Sequence, residues 1–366
     1  MEGGSNGTSA GAVGAEPEAI LMEPTTSEII EMLYQLTFFM IGTPLNVWAF
    51  MRTNRHIRAG GVESRLVRLS RQLLIAHIIV LFVYGVWRSY WFFNIVWVQG
   101  DFLCKFFSFC CALPFHLWSN MVAAIAVDML CCITSPLSSY RNGANRVSWL
   151  IAMAWILSII CAAPMLILRG TVKISDQEDA LEQCYPLIGV YSHEVLVVFN
   201  LFHVITTFYV PLIVVVVCYS LIGLSLKKQI NERKLLQDGA DQKRGYRQST
   251  TKARFLRASL AIICTFFFTW LPYQVLALLR VICDDHEICQ AITGKLNWLQ
   301  AIIIASTCIN PFLYQFGSER KAHCSANCST LESTNGVPGG IKVYQNPASS
   351  SGVARTEPNP GRTSQK

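Results

Sequence analysis

The sequence predicts an all-α membrane protein, a bundle of seven transmembrane helices with its N-terminus outside. Three observations predict it. Hydrophobic residues make up 52% of the chain and charged residues only 14%. A soluble domain carries about 25% charged residues, so lipid is the expected solvent. Apolar runs of about 20 residues, the length that spans a bilayer core, recur along the chain. Lys and Arg gather on alternate connections between those runs, the asymmetry that orients membrane helices.

The runs fall at 29–51, 71–93, 104–133, 148–168, 195–226, 255–281 and 295–316. Backbone inside hydrocarbon must satisfy its own hydrogen bonds, so each run is a helix; the alternating pattern of a membrane barrel is absent. Residues 1–28 contain no Lys or Arg and are rich in Gly, Ala and Glu. They form an extracellular tail before the membrane domain of 29–323. Residues 324–366, rich in Ser, Thr, Gly, Asn and Pro, form a cytoplasmic one. Both compositions predict disorder. No basic segment and hydrophobic core of a signal peptide precede the first run, so the first helix is expected to carry the tail across. No internal repeat is visible, which counts against an inverted-repeat transporter.

Orientation follows from the basic residues. Arg52, Arg55, Arg58, Arg65, Arg68 and Arg71 follow the first run, Arg141 and Arg146 the third, ten from Lys227 to Arg257 the fifth, and Arg320 and Lys321 the last. Against these twenty the other side holds six: Arg88, Lys105, Arg169, Lys173, Arg280 and Lys295. The N-terminus is therefore outside and the C-terminus cytoplasmic. Asn6, in Asn6-Gly7-Thr8, is then a glycosylation acceptor on the correct face, whereas the triplet at Asn327 is silent. Fifteen carboxylates on the outer side either favour a cationic or amidated ligand at long range or serve solubility alone.

The fourteen cysteines sort by side. Eight lie in the apolar runs and pack as small hydrophobes. Four face the oxidising side: Cys104, Cys184, Cys283 and Cys289. A Cys104–Cys184 bridge would pin the second outer loop over the bundle mouth, and Cys283 with Cys289 would close a small loop; sequence alone fixes neither. Cys324 and Cys328 follow the last run and are either palmitoylated or free thiols. No spacing suggests a metal site, and no cofactor is expected.

Several residues carry a resemblance to one family. Asn310-Pro311-Phe312-Leu313-Tyr314 matches N-P-x-x-Y, and Phe266, Trp270 and Pro272 match F-x-x-x-W-x-P. Asn46, Trp155, Pro164, Pro211, Tyr219 and Trp97-Val98-Gln99-Gly100 ending at Cys104 keep the order and spacing. Together they resemble the rhodopsin-like (class A) G protein-coupled receptors. Gly100-Asp101-Phe102-Leu103-Cys104-Lys105, the step from Cys104 to Asp128, and Ile133-Thr134-Ser135-Pro136-Leu137 are similar to the gonadotropin-releasing hormone and adipokinetic hormone receptor branch. The chain is identified as a divergent invertebrate member, with nematodes in range.

The resemblance implies that the bundle is a receptor domain, that it is not an enzyme, and that it sits in the plasma membrane. It implies a ligand pocket at Arg88, Cys111, Asn200, Trp270, Tyr273 and Gln274. Trp270 would form the pocket floor, and a ligand that displaces it would swing the sixth helix outward. Pro211, Pro272 and Pro311 mark where helices can bend, and Tyr219 and Tyr314 would turn inward to bridge the opened bundle. Cys111 stands where amine receptors carry an acid, and Ile304 where opsins carry the retinal lysine, so neither ligand is expected.

Departures from the family pattern are equally informative. Met129 replaces the arginine that follows the acid, Asp128. Lys252 stands where many relatives carry an acid on the sixth helix. Asp128 is left to pair with Arg141 or Arg146, to sit in water, or to protonate, and either a weakly latched inactive state or an unusual contact with the G protein is expected. Reinstating an arginine at Met129 is the direct test at this level. His77 takes the place of the sodium-holding acid, facing Trp118. No oxygen-lined sodium site is expected there, and His77 is either a pH-sensitive group or a neutral imidazole bonded to Asn46 or Asn310. Arg88 reverses the sign of an acid in the hormone receptors; it either binds an anionic group or snorkels to the interface.

The leading reading is a receptor for a neuropeptide or peptide hormone that signals to a heterotrimeric G protein. The alternative is a receptor for a small-molecule or lipid-like pheromone, acting in a heteromer with another receptor because Met129 weakens coupling. The Ser/Thr-rich tail offers phosphorylation sites for an arrestin. Membrane lipid is a partner; nucleic acid is not, since the basic inner loop serves topology and coupling.

Overall fold

The computed structural model describes residues 26–59, 63–173, 181–187, 189–235, 242–282 and 296–316. Seven long helices run through them. Helix α1 is Thr26–Arg58. Helix α2 starts as Arg65–Phe82, loosens into a π-helical turn over Val83–Arg88, and ends as Ser89–Asn94. Helix α3 is Gly100–Thr134, and α4 is Pro136–Ala162 with a last turn over Met165–Leu168. Helix α5 comprises His193–Val204, a π-helical turn over Ile205–Tyr209, and Val210–Leu235. Helix α6 is Gln242–Ile282 and α7 is Leu296–Phe316. Asn6, Cys283, Cys289, Cys324, Cys328, most of the N-terminal tail and all of the C-terminal tail lie outside the described residues.

Helix α3 packs against α2, α4, α5 and α6, while α1 packs against α2 and α7. The burial agrees: 61% of the apolar window of α3 is buried but only 17% of that of α4. Trp149, Ile160, Phe268 and Ile213 are each at least 60% exposed, a distribution that suits lipid as the surrounding solvent. Among the described residues, α2 to α6 are long and apolar enough to cross a membrane. In α7 the apolar segment is shorter, Leu299–Leu313, and both α1 and α7 turn polar side chains inward. They bury Glu31, Gln35, Asn46, Gln300, Ser306, Thr307 and Asn310 inside the bundle, where hydrocarbon cannot reach them.

Bends have local causes. Pro114 sits inside α3, Pro272 inside α6 and Pro311 inside α7. Pro211 follows the π turn of α5; its missing N–H leaves the helical ladder incomplete there.

A two-stranded hairpin, β1 (Arg169–Lys173) antiparallel to β2 (Glu182–Pro186), connects α4 to α5. Cys184 of β2 is bonded to Cys104 at the start of α3, so of the pairings left open this one forms. The hairpin is further held by the Thr171 N–H donating to Asp101 Oδ1 (3.0 Å), and by the Trp97 N–H donating to the Glu182 carbonyl (2.9 Å). The Gln183 amide accepts from Trp91 Nε1 at 2.9 Å and donates to the Ile95 carbonyl. The Trp97-to-Gly100 motif has its reason in the same place. Trp97 packs edge-on to Trp91 and donates to the Gly100 carbonyl at 2.8 Å. Gly100 takes φ 78°, which a residue without Cβ adopts freely.

Candidate functional site

Beneath the hairpin lies a cavity of about 590 Å³, within the range of roughly 300–1,000 Å³ typical of small-ligand sites. Trp270, Phe115 and Tyr84 line it from the bundle, Trp91, Phe92 and Phe107 from the side, and Arg169, Gln183 and Tyr185 from the hairpin. Of the residues expected in a pocket, Arg88, Cys111, Trp270, Tyr273 and Gln274 line this cavity. Asn200 does not: it is exposed on α5, and His203 and Thr207 face the cavity instead. The π turn explains the correction. One extra residue in a turn rotates everything before it by about 100° relative to an unbroken helix.

Arg88 is neither free nor at the lipid interface. Its Nη2 is 2.9 Å from Glu31 Oε1, its Nη1 donates to Gln300 Oε1 at 3.3 Å, and its guanidinium lies over the rings of Tyr84 and Phe92. Gln35 also donates to Glu31, at 2.8 Å. Glu31 interrupts an apolar run, and an ionisable group inside a span calls for a partner; that signal was readable, but nothing in the sequence pointed it at Arg88. The other cavity guanidinium, Arg169, donates Nη2 to the Cys184 carbonyl at 3.2 Å and meets no carboxylate among the described residues. Its Nε is buried without a partner, as are Arg88 Nε and Gln274 Oε1. Burial lowers the Arg169 guanidinium below its ordinary value, and nearby Arg88 acts in the same direction.

The cavity floor is one end of an aromatic chain. Trp270, 1% exposed, packs edge-on to Phe115 (5.4 Å between centroids) and Trp118 (5.2 Å), and lies 4.8 Å from Phe266. Phe266 in turn contacts Phe208 of α5 at 5.7 Å. Trp118 packs on His77 with ring centroids 4.3 Å apart, so the two residues expected to face each other are in contact. Asn46 Nδ2 donates to the carbonyls of Gly42 and Thr307, at 2.8 and 3.0 Å. Its Oδ1 therefore accepts from His77 Nδ1, at 3.3 Å, while His77 Nε2 accepts from Asn310 Nδ2 at 3.4 Å. The network assigns a neutral imidazole protonated at Nδ1, and it engages both candidate partners at once. A second imidazole pair went unread in the sequence: His116 Nε2 lies 3.2 Å from His203 Nδ1, joining α3 to α5 beside the cavity.

At the end of the bundle opposite the hairpin, Asp128 takes Arg146, one of the two partners anticipated. Arg146 Nη2 and Nε lie 2.5 and 3.1 Å from Asp128 Oδ1. Arg65 of α2 stands 3.9 Å from the same oxygen and also bonds Ser139 of α4. Met129, 6% exposed, is packed with Ile133 and Ile222 and borders Tyr219, Leu226 and Leu256. Tyr219 donates to Ser259 Oγ of α6 at 2.7 Å. Ion pairs and hydrogen bonds join α2, α3 and α4, and an apolar cluster joins α3, α5 and α6. The side chains of Lys252, Leu137 and Tyr314 lie outside the described residues.

The family model for the 7 transmembrane receptor (rhodopsin family) matches residues 48–314. The chain belongs to that receptor family. Relatives include the G-protein coupled receptor daf-38 of Caenorhabditis elegans, 21% identical over 82% of this chain and 91% of the relative. The gonadotropin-releasing hormone II receptor of Clarias gariepinus is 25% identical, over 80% of this chain and 76% of its own length. The mouse gonadotropin-releasing hormone receptor is 23% identical over 80% and 90%. The protein is thus a multi-pass membrane receptor of the rhodopsin family that resembles the gonadotropin-releasing hormone branch and a nematode receptor.

Two predictions follow from this geometry. Replacing His77 with Ala strands Asn46 Oδ1 and Asn310 Nδ2 in the core, at about 1–3 kcal/mol for each group; His77→Ala should lower the thermal midpoint of the purified receptor, and an unchanged midpoint would refute the network. Met129→Arg should not act as a simple repair. It places a third guanidinium beside a carboxylate already paired with Arg146 and breaks an apolar cluster, at a cost of several kcal/mol. Met129→Leu should cost less than about 1.5 kcal/mol. Equal stability of the two variants would contradict the packing role.

Proposed function

We propose that this receptor lies in the plasma membrane with its N-terminus outside. It binds an extracellular ligand in the cavity beneath the hairpin and signals to a heterotrimeric G protein through outward movement of α6. The observation that carries the reading is the position of Trp270. It lines the cavity and at the same time packs on Phe266, in the helix whose Ser259 and Leu256 border the Met129 cluster. A ligand that binds one arrangement of this chain better than another shifts the population toward it. On this reading the hairpin end is extracellular and the Asp128 end cytoplasmic, as the twenty basic residues suggest.

A peptide hormone is the leading ligand class, supported by relatives named as gonadotropin-releasing hormone receptors. A small-molecule or lipid-like pheromone is the second reading, supported by the aromatic lining and limited volume of the cavity. Met129 supports a heteromer with a second receptor, because it stands in place of the family's arginine and is buried in an apolar cluster. Arrestin binding to a phosphorylated tail belongs to the same proposal.

The test is expression of the full chain with an N-terminal epitope, followed by G protein activation assays against peptide and small-molecule panels. Antibody should label intact cells, and an active compound should give a dose response that Trp270→Ala shifts at equal surface level. Labelling only after permeabilisation would reverse the orientation. A response that appears only with a co-expressed receptor would replace autonomous signalling with the heteromer.

A further inference from the structure

The cavity holds two guanidiniums in different electrostatic situations. Arg88 is matched by Glu31 at 2.9 Å and by Gln300. Arg169 opens β1, lines the same cavity, and has no carboxylate partner among the described residues. Its one hydrogen bond, 3.2 Å to the Cys184 carbonyl, fixes the group to the strand that the Cys104–Cys184 bridge staples to α3. Its Nε–H is buried and unpartnered. Arg169 as a whole is half-buried, and a cation drawn partly out of water without a counter-ion is costly; the group is held under the hairpin, lining the cavity. Glu28 also lines the cavity and has an interaction of its own.

We propose that Arg169 is the anion-reading residue of the cavity, and that the ligand carries a carboxylate or phosphate seated on its guanidinium. This deepens the receptor reading and rests on it. The chemistry suits the group. A guanidinium presents a planar fork of N–H donors that matches two oxygens of one anion, and here the fork is oriented in advance by a backbone carbonyl. Neutral groups of the same ligand would meet the aromatic walls and Gln274 Oε1, an acceptor still without a donor. The sequence pointed to Arg88 for this task; the Glu31 pair withdraws Arg88 and leaves Arg169.

The experiment uses the full chain in lipid nanodiscs and measures binding directly, without signalling. The probes are 4-phenylbutyrate, phenyl phosphate and the neutral 4-phenylbutanamide, followed by phenylalanyl-leucine in free-acid and amidated forms. An acid should bind at least about 10-fold more tightly than its amide, the difference expected for hydrogen bonds to a charged group. Arg169→Gln should erase that preference, and Arg169→Lys should keep part of it. Preference for the phosphate, the small carboxylate or the peptide terminus assigns the source of the anion and supports the proposal in each case. Equal binding of acids and amides, no binding of either, or a preference that survives in Arg169→Gln would overturn it. Those failures leave the receptor reading standing, because G protein activation tests that reading separately.

Discussion

Inside a bilayer a polar side chain has no water to fall back on, so every buried donor, acceptor and charge must find its partner within the protein. That constraint accounts for most of the polar architecture of this receptor. It places Glu31 of α1 against Arg88 of α2, with Gln35 and Gln300 completing the set. It makes Asn46, His77 and Asn310 a single network across α1, α2 and α7. It draws Arg146 and Arg65 onto Asp128 at the opposite end. Of the buried groups without a partner among the described residues, Arg88 Nε, Arg169 Nε, Trp270 Nε1 and Gln274 Oε1 belong to residues that line the cavity. On the proposal above, an incoming molecule supplies there what the protein does not.

The same logic recasts the substituted motif after Asp128. An arginine there would compete with Arg146 and Arg65 for one carboxylate. With methionine, the position contributes packing instead, and Met129 joins Ile133 and Ile222 in a cluster bordered by Leu256 of α6. Among the described residues, α6 meets this cluster by apolar contact and by the Tyr219–Ser259 bond. Apolar contacts are non-directional and roughly proportional to buried area, so opening this end costs in proportion to the surface exposed. The Asp128 pairs lie within the α2, α3 and α4 layer.

Much of this was legible in the sequence, for physical reasons. Helix placement followed from apolar run length, since hydrocarbon thickness fixes it, and each of the seven expected runs overlaps a long helix. Arg146 was within reach of Asp128 because the chain turns only once between them, and His77 announced its need for partners by being ionisable in an apolar run. What escaped depended on tertiary proximity. Glu31 and Arg88 lie on different helices, and Arg65 approaches Asp128 from far upstream. Asn200 was misplaced because a π turn leaves no mark in residue pattern strong enough to read in advance. Met129 was read as a missing charge, since a motif comparison records what a position lacks; its packing partners on α5 and α6 emerge only when the helices are assembled. Arg169 looked like one more basic residue at a helix end until the neighbouring charges were placed.

The most direct measurement of the account is a double-mutant cycle on Glu31 and Arg88 in the purified full chain, read as thermal midpoints of Glu31→Gln, Arg88→Met and the two combined. If the pair neutralises itself inside the bundle, each single change strands a buried charge and costs about 3–5 kcal/mol. The double variant should then recover most of that loss. Strictly additive losses, or single variants as stable as the parent, would show that Arg88 is not satisfied by Glu31. The assignment of Arg169 as the cavity guanidinium without a carboxylate partner among the described residues would then no longer set it apart from Arg88.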